Sequence, residues 1–332
     1  MLIMNESKFW SEPTLDDLLK KVFEFFLNKS NDCFSINPSK GDAREIFGTL
    51  LELKNPRSRL SRTEIKGTPF SCLGELSWYL SGSDKLNHMQ YYLPEYRKAS
   101  DDNETVHGAY GPRLKRMHKK YDQLEEIVSF LRRKTDSRRA VIQIYDASDL
   151  FYNGNDVPCT TNIQFAVRNS KLYMLTSMRS NDVYLGLPHD IFCFTMIQEI
   201  IASRLNIELG TYQHSVGSLH LYGKHEQKAK KFIDEGWQST TSTMNKMPSV
   251  DVTRDVKKFL DIEKGIREQG FEYLREAKFG KYWNDLVILL RAFSCSKYET
   301  DVEHLKKLKK ELNERSYGIY IEKLIQQIAR RD

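Results

Sequence analysis

Two β-rich runs, 162–167 and 172–178, are joined by the four polar residues Arg168-Asn169-Ser170-Lys171. That spacing and composition predict a hairpin. A hairpin forces antiparallel pairing, which rules out a purely parallel, doubly wound sheet. The next segment, DIFCFTMIQEIIASRL over 190–205, is apolar on nearly every face and predicts a long buried helix. Residues 209–216 then read as a strand leading into GSLHLYGKH, and 140–145, after a helical stretch over 121–133, as another. The expected class is therefore α/β (α+β), a mixed sheet with surrounding helices.

The ends of the chain read differently. Leu15, Leu18, Leu19, Val22 and Phe25 recur at helical spacing, so residues 1–50 are expected to be a helical lead-in. Beyond about residue 228 the chain turns charged and helical, with Leu305, Leu308 and Leu312 and then Ile321, Leu324, Ile325 and Ile328 in three- and four-residue steps. This gives a three-part division: lead-in 1–50, core 51–230 and a mainly helical region 231–332. The last part is either a subdomain packed on the core or a surface for a partner. No apolar run reaches the ~18 residues of a membrane span. The start, MLIMNESKFW, lacks the basic and apolar regions of a signal peptide. Five widely spaced cysteines without a CxxC form no disulfide framework. A reduced, cytoplasmic protein with no membrane contact is expected.

Chemistry-bearing residues are few. The eight histidines show no HxxxH or HExxH spacing, so no metal site is expected, and GxGxxG and GxxxxGK[ST] are both absent. A net charge of +6 suits phosphates without implying direct nucleic-acid binding. The loop KNPRSRLSRTEIKGT carries Arg57, Arg59 and Arg62, either solvated or a phosphate clamp. In FSCLGELSWYLSG (70–82), a buried-looking helix ending at Gly82, Glu75 stands as one carboxylate inside an apolar pattern. Such a charge lies at a helix edge or, if buried, has functional potential. Cys159 follows Pro158 just before the first hairpin strand. By itself it reads equally as a small buried hydrophobe. Arg179, at the end of the second strand, could lower a thiol pKa and bind a phosphate, and Arg138 and Arg139 add two more cationic forks.

Five stretches, GELSWYLSG, DSRRAVIQIYD, VPCTTNIQFAV, MRSNDVYLGLPHDIFCFT and GSLHLYGKH, occur in one order over residues 55–228. In order and spacing this set resembles the thymidylate synthase superfamily. The resemblance implies a thymidylate synthase-like mixed sheet in residues 51–230, an obligate homodimer and 5,10-methylenetetrahydrofolate as co-substrate. It makes Cys159 the nucleophile that adds to C6 of a pyrimidine nucleoside monophosphate, a step suited to a thiolate. Arg179 and Ser180 match phosphate ligands, with Arg57 as a further candidate, and Arg138 and Arg139 match the pair that reaches the partner's phosphate site. Gln164 matches a nucleotide-binding position, and His220 and Tyr222 fit the pair that bonds the sugar. Glu75 matches the carboxylate that organises water, and Tyr110 the tyrosine that assists loss of the C5 proton. Asp182, Gly186 and His189 match folate-side positions, and Tyr92 or Tyr96 replaces a folate-facing tryptophan.

Departures from an ordinary thymidylate synthase bear on the substrate. Thr160 stands where histidine is usual, Met178 where glutamine is usual, and the chain runs on to Asp332 where the family has a short closing tail. Asp190 replaces the asparagine that reads the base. An asparagine amide both donates and accepts, matching O4 and N3–H of uracil, whereas a carboxylate only accepts and suits the N4 amino group and protonated N3 of cytosine. Mispairing at such a site discriminates by ~10²–10⁴-fold. Within the superfamily the pattern is most similar to the deoxycytidylate and cytidylate 5-hydroxymethylases. There the first half-reaction is shared and water, in place of hydride, completes the second. Asp190 is also placed to N-cap a helix over 191–205. A divergent thymidylate synthase acting on dUMP and a non-catalytic nucleotide-binding protein are the alternatives.

Overall fold

The computed structural model describes residues 8–38, 40–61, 63, 69–236, 243–273, 280–298 and 301–330. Contacts group the chain into two compact units that interleave in sequence, Met1–Gly67 with Asp122–Met244, and Thr68–Tyr121 with Asn245–Asp332. The linear division 1–50, 51–230, 231–332 cuts across both units.

The first unit is built on one mixed sheet. Its strands are β1 (Phe9–Glu12), β2 (Phe34–Ile36), β3 (Ala43–Leu53), β4 (Val141–Gln143), β5 (Thr160–Arg168), β6 (Lys171–Asp182) and β7 (Glu208–Tyr222). Among the described residues the order is β1-β3-β7-β6-β5-β4, with β2 against β3. The β5–β6 and β3–β7 pairs are antiparallel, and the β1–β3 and β6–β7 pairs are parallel. The β5–β6 hairpin turns through Asn169 and Ser170, both at positive φ (50° and 56°), the left-handed geometry that matches strand twist. Along β5, Ile163, Phe165 and Val167 are buried while Asn162, Gln164 and Ala166 are half-buried, so one face makes the core.

Among the described residues the α-helices of this unit are α1 (Leu15–Leu27), α5 (Gln123–Arg133), α6 (Gly186–Leu205) and α7 (Glu226–Glu235). The second unit holds α2 (Phe70–Ser81), α3 (Leu86–Tyr92), α4 (Tyr110–Arg116), α8 (Val252–Gln269), α9 (Lys281–Tyr298), α10 (Val302–Glu311) and α11 (Gly318–Ala329). Thr14 caps α1 by accepting from Asp17 N at 3.1 Å. The buried face of α1 (Leu15, Leu18, Leu19, Val22, Phe23, Phe26) packs toward α7, with Phe23 edge-on to Phe232 at 5.1 Å. α6 buries almost its whole circumference.

Two expectations need correction. Residues 1–50 are not a helical lead-in: besides α1 they hold β1, β2 and most of β3. The alternation in β3 is hidden because Gly48, at φ +76°, interrupts the extended run. The second correction concerns α6, which starts at Gly186, four residues before Asp190, because Pro188 sits in its first turn, where a missing N–H costs nothing. Asp190 is therefore inside the helix and does not cap it.

The second unit closes around α2, which ends at Gly82 in the left-handed region (φ 72°). Phe293 of α9 stacks on Phe70 and on Tyr92, at 5.6 and 5.4 Å. Deeper in, Tyr92 Oη donates to Glu263 Oε1 at 2.8 Å and Arg267 Nε to the same oxygen at 2.9 Å, while His88 Nε2 lies 3.6 Å from it and 2.9 Å from Ser77 Oγ. This polar cluster ties α2 and α3 to α8, so the charged C-terminal helices share a core with the middle of the chain.

Candidate active site

Cys159 lies at the mouth of β5, beside a register irregularity between Thr160 and Asn162. Such a bulge re-aims the neighbouring side chains. Its backbone is pinned to β6, Arg179 N donating to Cys159 O at 2.8 Å. The Arg179 guanidinium donates back to the same turn, Nε to Pro158 O and Nη2 to Val157 O, both at 2.9 Å, and stands 3.9 Å from Cys159 Sγ. These two carbonyl bonds fix the cation against the thiol. Burial pushes the thiol pKa up, the positive Arg179 and Lys40 oppose that, and the negative Asp190 and Asp156 reinforce it. The thiol is thus poised between desolvation and its arginine.

Strand register assembles the rest of this half. β6 and β7 run parallel with Ser180 opposite Ser218 and Asp182 opposite His220. Arg179 is exposed and Ser180 half-buried at the end of β6. His220 and Tyr222 are buried and meet edge to face at 5.0 Å. Burial raises the Tyr222 hydroxyl pKa, and the charge of Asp182 and of an ionised Cys159 adds to this. Asp182, half-buried, accepts from Tyr184 N at 2.8 Å and lies 3.8 Å from His225 Nδ1. His189 points a ring nitrogen at Leu185 O, 2.9 Å away. Asp190 is buried and its Oδ2 accepts from Asn181 Nδ2 at 2.7 Å, so its carboxylate is held from the β6 side.

Arg57 is engaged elsewhere: its Nε donates to Glu199 Oε1 at 2.7 Å, and the fully buried Arg59 binds the other oxygen of the same carboxylate. Two of the three loop arginines are therefore bonded to α6, and Arg62 lies outside the described residues. Arg138 and Arg139 are exposed ahead of β4; Arg139 sits 6.0 Å above the Phe130 ring, and the Arg138 carbonyl accepts from Gln164 Nε2 at 3.3 Å.

In the second unit, Glu75 is buried on α2 and accepts from Tyr79 Oη at 2.6 Å, and the Tyr79 ring packs against Tyr110 at 4.9 Å. Tyr96 lies edge-on to Trp78 at 5.5 Å and is half-buried. Tyr92, the other candidate for a folate-facing ring, is buried with its hydroxyl on Glu263. Among the described residues no group of three His, Cys, Asp or Glu side chains could hold a metal. No helix among them is long and apolar enough to cross a membrane.

Sequence reasoning missed Asn181, His214 and Glu199. Glu199 carried the same signal as Glu75, one carboxylate in an apolar helix. Asn181 and His214 carried none, because only strand register brings them together, with His214 Nε2 3.0 Å from Asn181 Oδ1.

Comparison with known proteins gives one family. Residues 40–266 match thymidylate synthase. Among curated relatives, the deoxyuridylate hydroxymethyltransferase of Pseudomonas phage M6 is 31% identical over 198 residues, 59% of this chain and 56% of that protein. The proteins of the same name from Delftia phage PhiW-14 and Bacillus phage SP01 are 30% and 32% identical, covering 58% and 54% of this chain and 57% and 50% of their own. The chain spans about half the length of the curated relatives it matches.

Proposed function

Because this chain belongs to the thymidylate synthase family, we propose that it is a C5 hydroxymethyltransferase acting on a cytosine nucleoside monophosphate. The observation that carries the base assignment is Asp190, a buried carboxylate that accepts a hydrogen bond from Asn181 and has only acceptors to offer a base. That set suits the N4 amino group and the N3 proton of an activated cytosine. A second reading, deoxyuridylate as substrate, is favoured by the names of the phage relatives.

In this reading Cys159 adds as thiolate to C6, and the guanidinium of Arg179, 3.9 Å from the sulfur, stabilises the thiolate and receives the phosphate together with Ser180. His220 and Tyr222 bond the sugar. Addition at C6 makes C5 nucleophilic. The bound 5,10-methylenetetrahydrofolate supplies the one-carbon unit. Asp182 fits that co-substrate: it is a half-buried carboxylate, the acceptor that the N–H groups of a reduced pterin require. Gly186 and His189 are its other candidate neighbours in this unit, and the resemblance adds Tyr96. The resemblance gives Tyr110 the C5 proton and Glu75 the water that completes hydroxymethylation. A second copy of the chain would cover the half-buried sheet face of Gln164 and Ala166 and receive Arg138 and Arg139 at its phosphate site.

The test is incubation with methylenetetrahydrofolate and dCMP, CMP, dUMP or UMP separately, with the nucleotide product weighed by mass spectrometry. A hydroxymethyl increment on a cytosine nucleotide, absent with Cys159→Ser, is expected. The same increment on dUMP alone would replace the cytosine reading with the second one. A methyl increment would make the protein a thymidylate synthase.

A further inference from the structure

Asn181, near the end of β6, sits between Asp190 on α6 and the buried imidazole of His214 on β7. Its Nδ2 donates to Asp190 Oδ2 at 2.7 Å, and its Oδ1 lies 3.0 Å from His214 Nε2. The other ring nitrogen, Nδ1, is 2.7 Å from the Tyr212 hydroxyl. Tyr212 and His214 are wholly buried and Asn181 nearly so. Burial lowers the His214 pKa to about 3, so the ring is neutral and carries one N–H. An amide oxygen only accepts, so that hydrogen is on Nε2, and Nδ1 accepts from Tyr212 O–H. The bonds therefore run in one direction, from Tyr212 through His214 and Asn181, and end by handing a hydrogen to Asp190 Oδ2. Turning the Asn181 amide over would set its oxygen against Asp190 Oδ2, two acceptors in contact unless Asp190 took up a proton. Gly186 protects the same contact: a Cβ there would lie 2.8 Å from Asn181 Nδ2 and 3.5 Å from Asp190 Oδ2.

We propose that Asn181 is a positioning residue for base choice: by donating to Asp190 Oδ2 it sets the rotamer of that carboxylate and keeps it an acceptor towards the base. Preference for cytosine over uracil then belongs to the Asn181–Asp190 pair, with His214 and Tyr212 fixing the amide's direction. This rests on the reading of Asp190 as the base-facing group.

The experiment is equilibrium dialysis of the full chain with dCMP and with dUMP, for wild type, Asn181→Ala, Asn181→Asp, Asp190→Asn and the Asn181→Ala/Asp190→Asn double variant. The wild type is expected to favour dCMP, Asn181→Ala to reduce the dCMP:dUMP affinity ratio about tenfold, and the double variant to match Asp190→Asn. Asn181→Asp puts two carboxylates side by side, and they share one proton at acidic pH. That proton replaces the amide hydrogen, so the ratio should approach the wild-type value at low pH and fall as pH rises. The titratable groups facing this position are Asp190 from α6 and His214 and Tyr212 from β7, and Cys159 senses the Asp190 charge. If Asn181→Ala binds neither nucleotide, the pH course of Asn181→Asp decides, since the ratio is internal to one protein.

A wild-type ratio in Asn181→Ala, or a ratio flat with pH in Asn181→Asp, overturns the proposal while loss of preference in Asp190→Asn leaves the Asp190 reading standing. Unchanged preference in Asp190→Asn, or a wild type that favours dUMP, overturns that reading and this proposal with it.

Discussion

Replacing Glu199 with leucine removes the shared acceptor of two arginines. Arg59 is fully buried, and among the described residues its Nε and Nη1 have no partner, so its charge is answered through Nη2 and Glu199 alone. The Glu199 side chain is only 2% exposed, so little water can replace it. Breaking a buried pair from one side leaves an uncompensated charge and costs ~3–5 kcal/mol. Against a total stability of about 5–15 kcal/mol that is a large fraction. For a unit of about 200 residues it corresponds to a fall in Tm of about 6–20 °C. Calorimetry and urea titration followed by circular dichroism would measure it. The double variant Glu199→Leu/Arg59→Met removes the two buried charges and leaves Arg57, whose side chain is 21% exposed, to water. It should therefore recover most of the loss, because a buried ion pair contributes little beyond an apolar pair of similar volume. A loss below ~1 kcal/mol in Glu199→Leu, or a double variant no better than the single, would refute the assignment of Arg57 and Arg59 to a structural clamp on α6.

Two further outcomes are expected. Arg179 opposes the burial that raises the Cys159 pKa, so Arg179→Ala should slow iodoacetamide alkylation of Cys159 at pH 8 several-fold; an unchanged or faster rate would show that the cation does not act on the thiol. His88, buried with its pKa lowered to about 3, stays neutral in the fold while the unfolded imidazole takes a proton near pH 6.5. Stability is therefore complete above that pH and lost as pH falls towards 3, by up to ~4 kcal/mol, and His88→Gln should flatten the dependence of the urea midpoint between pH 7 and 4. An equally steep dependence in the variant would remove His88 as its source.

The parts of this protein written in local pattern are legible in the sequence. The β5–β6 hairpin followed from a two-residue period broken by Asn169 and Ser170, and α2 ended where Gly82 allows a left-handed turn. The placing of Arg179 beside the thiol rested on both residues lying at strand ends. What depended on distant partners was not legible. β3 was hidden behind Gly48, and its flanking strands pair in parallel and antiparallel senses that no local period encodes. The start of α6 was misplaced because Pro188 marks either a boundary or a first turn, and only packing chooses between them. Arg57 stood open between solvent and a phosphate, and its bond to Glu199, 142 residues away in the chain, has no local signature.

The sequence by itself determined the class of fold and the donors and acceptors that Cys159, Arg179 and Asp190 can offer, since these depend on residue type and short-range spacing. Tertiary structure alone decided whether Asp190 caps a helix or is held by Asn181, and whether an arginine is spent on a carboxylate or left for a ligand. The reason is physical: a side chain's donors and acceptors are set by its identity, but burial and strand register decide which of them are already satisfied.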